Sequence, residues 1–260
     1  MIGPNIIGKT GPNISERAVR IYQISIYGAL GLQILEDLSG ISVLDLSGET
    51  RVATRPKVSV PVYGERIVEG FRIWDTHRSK MAALLIKSHL AGTFKRLVSD
   101  LNLTPSSKVL YLGAATGTTA SHFSDLVPDG LVYAVEFSAR SMRDLLVLCA
   151  DRDNIIPILE DASFPERYRP ILEPVDLVYQ DVAQRNQAEI ANRNAELYLK
   201  DGGALVLMIK ARSIDVTADP RAVYKTEAGR LAGFEVISSA DLRPYHRDHW
   251  AVVARRVAES

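Results

Sequence analysis

Cysteine is nearly absent from this 260-residue chain, where Cys149 stands alone. That excludes an internal disulfide and any cysteine-based metal site. Cys149 falls on the apolar side of an expected helix, which reads as an inert core thiol. Long hydrophobic runs are missing too: no stretch stays apolar long enough to span a bilayer, and no signal-peptide pattern precedes a cleavage site. A soluble, intracellular protein that meets no membrane is therefore expected. Nor is there an excess of one charge, because 31 Lys and Arg face 31 Asp and Glu, so no global field draws the whole chain onto nucleic acid. What is present is 47% hydrophobic residues, ample for the core of one large α/β domain with a small appendage. The charge is also uneven. Residues 57–100 carry 8 Lys/Arg against 4 Asp/Glu, residues 206–256 carry 9 against 6, and residues 120–200 carry 8 against 14. If RNA is bound, the two basic segments should meet on one face; ordinary solvated surface is the alternative.

The chain is organised around Lys108 to Ala120. Val109, Leu110, Tyr111 and Leu112 make an apolar run too short for a helix, hence a buried strand. Gly113-Ala114-Ala115-Thr116-Gly117 turns it sharply into a helix and lets a ligand approach the backbone. Thr118, Thr119 and Ser121 bring hydroxyls and free N–H groups to that helix's first turn. Such a turn at the carboxyl end of a parallel strand is where open α/β sheets bind nucleotides. Ala115 and Thr118 stand where a dinucleotide fingerprint has its second and third glycines, which disfavours a pyrophosphate cofactor. Leu131–Glu136 and Ile155–Asp161 are further strands that end in acids. Glu136 follows the turn by about twenty residues, where a ribose-binding carboxylate is expected, and Asp161 is followed by the small Ala162. Each acid alone reads as a solvated strand end. Their joint spacing favours a ribose and an adenine amino group, and S-adenosylmethionine is the natural candidate.

Residues 1–36 form an N-terminal extension of unknown role. Met1 to Ser15 should be irregular, and Ala18 to Leu38 reads either as an added strand or helix packed on the small domain or as an extension arising from a wrongly chosen start. Residues 37–74 are expected to form a small antiparallel β-domain: a hairpin through Ser47-Gly48 into Thr50–Thr54, then strands at Val58–Val60 and Val62-Tyr63. Residues 75–260 form the main domain. Asp75-Thr76 would cap a helix with Met81, Leu84, Leu85 and Ile86 on its apolar face. Ser138 would cap a helix reaching Cys149, and Asp219-Pro220 starts another. Val175–Tyr179 and Ala204–Ile209 are buried strands, Gln187–Leu199 a helix. Phe234–Ile237 and Trp250–Val253 should be antiparallel to each other, because the link between them is short. The fold expected is α/β: a doubly wound, mostly parallel seven-stranded Rossmann-like methyltransferase sheet with a small N-terminal antiparallel β-domain.

Tyr111–His122, Val132–Ser138, Met142–Leu146, Asp181–Gln184 and Ile209–Asp215, taken together, resemble fibrillarin, from about Ile41 to Arg256. The resemblance implies an S-adenosylmethionine-dependent RNA 2′-O-methyltransferase for rRNA, with tRNA as a second candidate. It would be directed by a box C/D guide RNA and assembled with a Nop-family scaffold protein and a kink-turn-binding ribosomal-type protein. The small β-domain would contact the scaffold. The form resembled is the archaeal one, without a glycine- and arginine-rich tail, which points to the cytoplasm. No single-strand RNA module is recognisable, so sequence choice would come from the guide. The resemblance also implies donor-binding roles for Gly113, Ala114, Gly117, Thr118, Thr119, Glu136, Phe137, Asp161, Ala162, Asp181, Val182, Ala183 and Gln184. Glu136 would take ribose hydroxyls, Phe137 would lie against adenine, and Asp161 would accept from its amino group. The catalytic set implied is Lys80, Asp181, Lys210 and His249; no metal is expected. Departures from the family pattern are Thr116, Ala139, Arg185 and His246, none of them in that set.

Methyl transfer from a sulfonium is an in-line displacement in which the donor is already activated. The protein must align it and make a weakly acidic hydroxyl a better nucleophile. A lysine near the oxygen favours the alkoxide. By the resemblance, Lys210 would stabilise or deprotonate the 2′-oxygen, Asp181 would orient it, and Lys80 and His249 would position the ribose. Taken singly, Lys80 also reads as a solvated helix lysine, His249 as a hydrogen-bonded strand start, and Asp181 as a helix cap. Two other readings stay open: a protein glutamine methyltransferase, and a catalytically silent structural subunit of an RNA–protein complex.

Overall fold

The computed structural model describes residues 31–257; the expectations for Met1 to Ser15, and for Ala18 as far as residue 30, lie outside the described residues. Five strands make a small sheet: β1 (Leu32–Leu38), β2 (Ile41–Leu46), β3 (Glu49–Thr54), β4 (Ile67–Val68) and β5 (Phe71–Trp74), in the order β1-β2-β3-β5-β4 with every pair antiparallel. β1 carries this sheet across the expected boundary between residues 36 and 37. Leu46 pairs with Glu49 across Ser47 and Gly48, both with positive φ (56° and 90°), the backbone a two-residue hairpin needs. The strands expected at Val58–Val60 and Val62-Tyr63 are not formed. Glu65 accepts from the N–H groups of Val62 (2.9 and 3.0 Å) and Tyr63 (2.8 Å), using the donors a ladder would need, and Pro56 and Pro61 break the run.

The large sheet contains β6 (Lys108–Leu112), β7 (Leu131–Glu136), β8 (Ile155–Leu159), β9 (Val175–Gln180), β10 (Leu199–Lys210), β11 (Phe234–Asp241) and β12 (His249–Arg256), in the order β11-β12-β10-β9-β6-β7-β8. From β10 to β8 the pairing is parallel. β12 slots antiparallel between β10 and β11, since the seven-residue link from β11 cannot make a crossover. Among the described residues the α-helices are α1 (Lys80–Leu90), α2 (Phe94–Leu101), α3 (Thr118–Leu126), α4 (Ala139–Ala150), α5 (Gln187–Tyr198), α6 (Ala211–Ile214) and α7 (Pro220–Gly229).

Successive strand residues serve opposite cores, as a two-residue period requires. Val109, Tyr111, Leu177, Tyr179, Val206 and Met208 pack with α1 to α4 on one face. Leu110, Leu112, Val178, Leu205 and Leu207 pack with Ile190, Ala191 and Tyr198 of α5 on the other. Burial on both faces is why these strands show no polar alternation in sequence. Cys149 is half-buried against the first core, and burial pushes its thiol up to about 11.

A buried polar network ties the small sheet to α3. Arg72 on β5 donates to Glu65 (2.6 Å), Asp125 (2.8 Å) and the Ser121 hydroxyl (3.1 Å), and Arg152 reaches the other Asp125 oxygen at 2.7 Å. His122 lies flat on Trp74, ring centroids 4.6 Å apart. Thr54 gives its single hydroxyl proton to Asp125, so His122 Nδ1 carries the hydrogen between it and Thr54 (2.9 Å), and Nε2 lies 2.9 Å from the Tyr63 hydroxyl. The charges are compensated in place, which a dry interior demands.

Candidate active site

Strand ends at the carboxyl edge of the parallel sheet bring the site together. Asp181 follows β9, and its N–H donates to Leu112 O (2.9 Å), fixing it beside the glycine turn after β6. Lys80 opens α1. The cap of that helix is Ser79, whose hydroxyl accepts from Ala82 N, and not the expected Asp75-Thr76. Asp75 instead accepts from the His77 N–H at 2.7 Å and shapes the turn ahead of the helix. Lys210 ends β10 and pairs in register with His249, the first residue of β12.

Lys80 Nζ donates to Asp181 Oδ2 at 2.7 Å across 101 residues of chain. Lys210 Nζ lies 3.4 Å from Asp181 Oδ1, an ion-pair contact outside hydrogen-bond geometry, so buried Oδ1 keeps an unfilled acceptor position. Burial lowers the pKa of His249, with the charges of Lys80 and Lys210 acting in the same direction. Its Nδ1 contacts Arg247 O; a carbonyl only accepts, so Nδ1 holds the hydrogen and Nε2 is a neutral acceptor. The four expected catalytic residues therefore converge. Asp181 is not a helix cap, for α5 starts six residues later behind Asn186.

The glycine turn is built for close approach. Gly113 has φ 82°, and a Cβ there would lie 2.8 Å from Asp181 O. Gly113 and Ala114 donate to Val135 O (2.9 and 3.0 Å), while Glu136, at the end of β7, accepts from Ala115 N and Ser138 N, both at 2.8 Å. Phe137, beside it, is 71% exposed. Thr118 begins α3 behind Gly117, and Thr119 donates to Ser79 at 2.9 Å. Asp161 accepts from Ser163 N (2.8 Å) and Gln184 Nε2 (3.0 Å); burial works to raise its pKa, but these hydrogen bonds outweigh it and hold the carboxyl below its usual value. Ala162 and Val182 are buried beneath this edge, and Ala183 is exposed on it.

Two residues that sequence reasoning did not single out hold the cluster in place. Gln187, fully buried, accepts from Lys210 N (2.9 Å) and donates to Lys210 O (3.3 Å). Ser79 joins Lys80's helix to the glycine turn through Thr119. A glutamine that begins a helix and a serine before a lysine carry no local signal of such roles. The two basic segments do meet here: besides Lys80 and Lys210, His246 Nε2 reaches Thr76 O at 2.9 Å and Lys87 donates to Arg243 O at 2.8 Å.

The site's own geometry fits S-adenosylmethionine. The unfilled Asp181 oxygen suits the donor's ammonium group, and the Glu136 carboxylate on the glycine turn, with exposed Phe137 after it, has the chemistry that suits a ribose and a purine. Among the described residues, no group of three or more His, Cys, Asp or Glu side chains is placed to hold a metal, and no helix is long and apolar enough to cross a membrane.

Comparison with known proteins agrees with this geometry. Residues 33–258 match the family model described as Fibrillarin. A protein of Methanothrix thermoacetophila named fibrillarin-like rRNA/tRNA 2′-O-methyltransferase is 55% identical over 223 residues, covering 85% of this chain and 99% of that one. The structure of Aeropyrum pernix fibrillarin with natively bound S-adenosyl-L-methionine superposes with a TM-score of 0.73 at 45% identity, covering 86% and 97% of the two chains. A fibrillarin chain solved in complex with Nop5p superposes at 0.72 with 42% identity, covering 87% and 98%. With a family match across most of its length and these likenesses in sequence and fold, the chain belongs to the fibrillarin family.

Proposed function

We propose that this chain transfers the methyl group of S-adenosylmethionine to ribose 2′-hydroxyls of rRNA and tRNA. It does so within a complex held by a Nop-family scaffold and a kink-turn-binding ribosomal-type protein, at nucleotides chosen by a box C/D guide RNA. The observation that carries this reading is Asp181 set between Lys80 and Lys210 at the lip of the glycine turn. Its support is the family membership and the names of the relatives, one of them solved with S-adenosyl-L-methionine and one with Nop5p.

Gly113, Glu136, Phe137, Asp161 and Asp181 hold the donor, which supplies a methyl group on a sulfonium centre that departs as a neutral thioether. Lys210 stabilises the negative charge on the 2′-oxygen as its O–H bond breaks and the proton passes to solvent, its partly buried ammonium supplying a fixed positive charge at that point. Asp181 anchors Lys80 and keeps the two ammonium groups together despite their mutual repulsion. His249, neutral and with Nε2 an acceptor, orients the ribose. Since the donor needs no further activation, alignment is the main contribution of the protein.

Reconstitution with guide RNA and both partner proteins, with labelled donor and mapping of the methylated nucleotide, tests this. Lys210→Ala is expected to abolish methylation while calorimetry still registers donor binding. Full activity in that variant removes the mechanism, and label appearing in protein rather than RNA replaces the acceptor.

A further inference from the structure

A cavity of about 390 Å³ opens between the 63–66 turn and the segment ahead of α1, lined by Arg51, Tyr63, Arg66, Asp75, His77 and Arg78 among others. We propose that it seats the phosphodiester backbone of the acceptor RNA next to the ribose that meets Lys80. This rests on the function proposed above and assigns it a second RNA-binding surface.

The charge facing outward is net cationic: Glu65 is committed, and Arg66 and Arg78 outweigh the half-exposed Asp75. Glu65 is buried against Arg72 and the N–H groups of Val62 and Tyr63. One Asp75 oxygen takes the His77 N–H, and the other lies 3.9 Å from Arg78 Nε, too far for a tight pair. Arg51 is held by Glu49 at 2.6 Å. Arg66 is exposed and has no acid within ion-pair distance among the described residues. The Arg78 guanidinium sits 5.5 Å from the centre of the Tyr63 ring, which limits its freedom and directs it.

Position adds to charge. The lining ends at Arg78, two residues before Lys80. The segment is fastened to the loop that leads into His249 by the His77–Tyr245 ring contact at 5.4 Å and by His246 on Thr76 O at 2.9 Å. A strand lying over Arg66 and Arg78 is thus led to the two lysines. Arginines on a polar surface hold phosphates without reading bases, which suits an enzyme whose own residues do not choose the sequence.

The test uses the reconstituted complex and compares Arg66→Ala, Arg78→Ala and the double variant. Methylation is followed against RNA concentration at several salt concentrations. KM for RNA should rise several-fold for each substitution, and the salt dependence of log KM should become shallower by about one for each phosphate no longer held. The kcat at saturating RNA and the donor Kd should hold, Arg66→Lys should restore the salt slope, and Lys200→Ala, at the opposite end of β10 from Lys210, should change nothing. If the double variant methylates with the original KM and salt slope, or loses donor affinity in parallel, the cavity does not hold RNA and the functional reading stands. If the unsubstituted chain labels no RNA at all, the functional reading itself fails, and this inference with it.

Discussion

Gln187 grips Lys210 by both of its backbone polar groups, accepting from N at 2.9 Å and donating to O at 3.3 Å. Gln187 is itself held, since Gln180 Nε2 donates to its carbonyl at 2.7 Å. The end of β10 is thereby locked to the start of α5, and the lysine has a fixed base from which to reach Asp181. Gln187→Leu preserves bulk but leaves those backbone groups without partners. We expect kcat to fall about 10- to 100-fold, as small misplacements of a reacting group do, with the donor Kd unchanged. Steady-state kinetics beside calorimetry would separate this from a general loss of structure, in which both would suffer.

Ser79 and Thr119 join the lysine helix to the donor turn through one hydroxyl–hydroxyl bond of 2.9 Å. Ser79→Ala removes that link and the cap of α1, for about 1 kcal/mol of stability. Thr119→Val breaks the same link and spares the cap. A kcat loss common to both variants, beside a stability loss confined to the first, is the expected result. Equal kcat in Thr119→Val and the unsubstituted chain would show that the link is not used.

Gly113→Ala places a methyl group 2.8 Å from Asp181 O at φ 82°. Both the clash and the left-handed backbone oppose it, at a cost of about 1–3 kcal/mol. Relief requires Asp181 to move, so donor binding should weaken along with thermal stability. An alanine variant with an unchanged donor Kd would show that the close approach is not needed.

His122 is neutral in the fold. Burial first, then the charges of Arg72 and Arg152, push its pKa well below 6.5. The unfolded chain takes up a proton near pH 6.5 that the folded chain does not, so the contribution of this group is complete above that pH. It declines as pH falls further, by about 1.4 kcal/mol per pH unit while only the unfolded state is protonated. Urea midpoints between pH 7.5 and 5 should therefore drop more steeply for the unsubstituted chain than for His122→Gln. Parallel curves would mean that His122 is not the group responsible.

Much of the fold is legible because it is written in local patterns. The strand before Gly113, the acids at the ends of β7 and β8, the Ser138 and Asp219 caps and the antiparallel last strands all follow from short-range periodicity and turn chemistry. Where the local pattern misleads, a distant or competing partner decides. Val62-Tyr63 has the pattern of a strand, but Glu65 takes its N–H groups; Asp75-Thr76 has the pattern of a cap, but Ser79, better placed, holds that position. The buried pairing of Arg72 with Asp125 leaves no mark in the sequence, because each residue alone reads as a surface charge.

The sequence by itself determined that this chain builds a sheet with a glycine turn, strand-end carboxylates and a family likeness strong enough to point to a methyl donor. Only the tertiary structure decided that Lys80 and Lys210 share Asp181, that Gln187 and Ser79 hold them there, and that the small sheet is bolted to α3 by buried charges. The reason is range: periodicity records which face of its own strand or helix a residue takes, whereas pairings between residues far apart in the chain are set by how those faces stack.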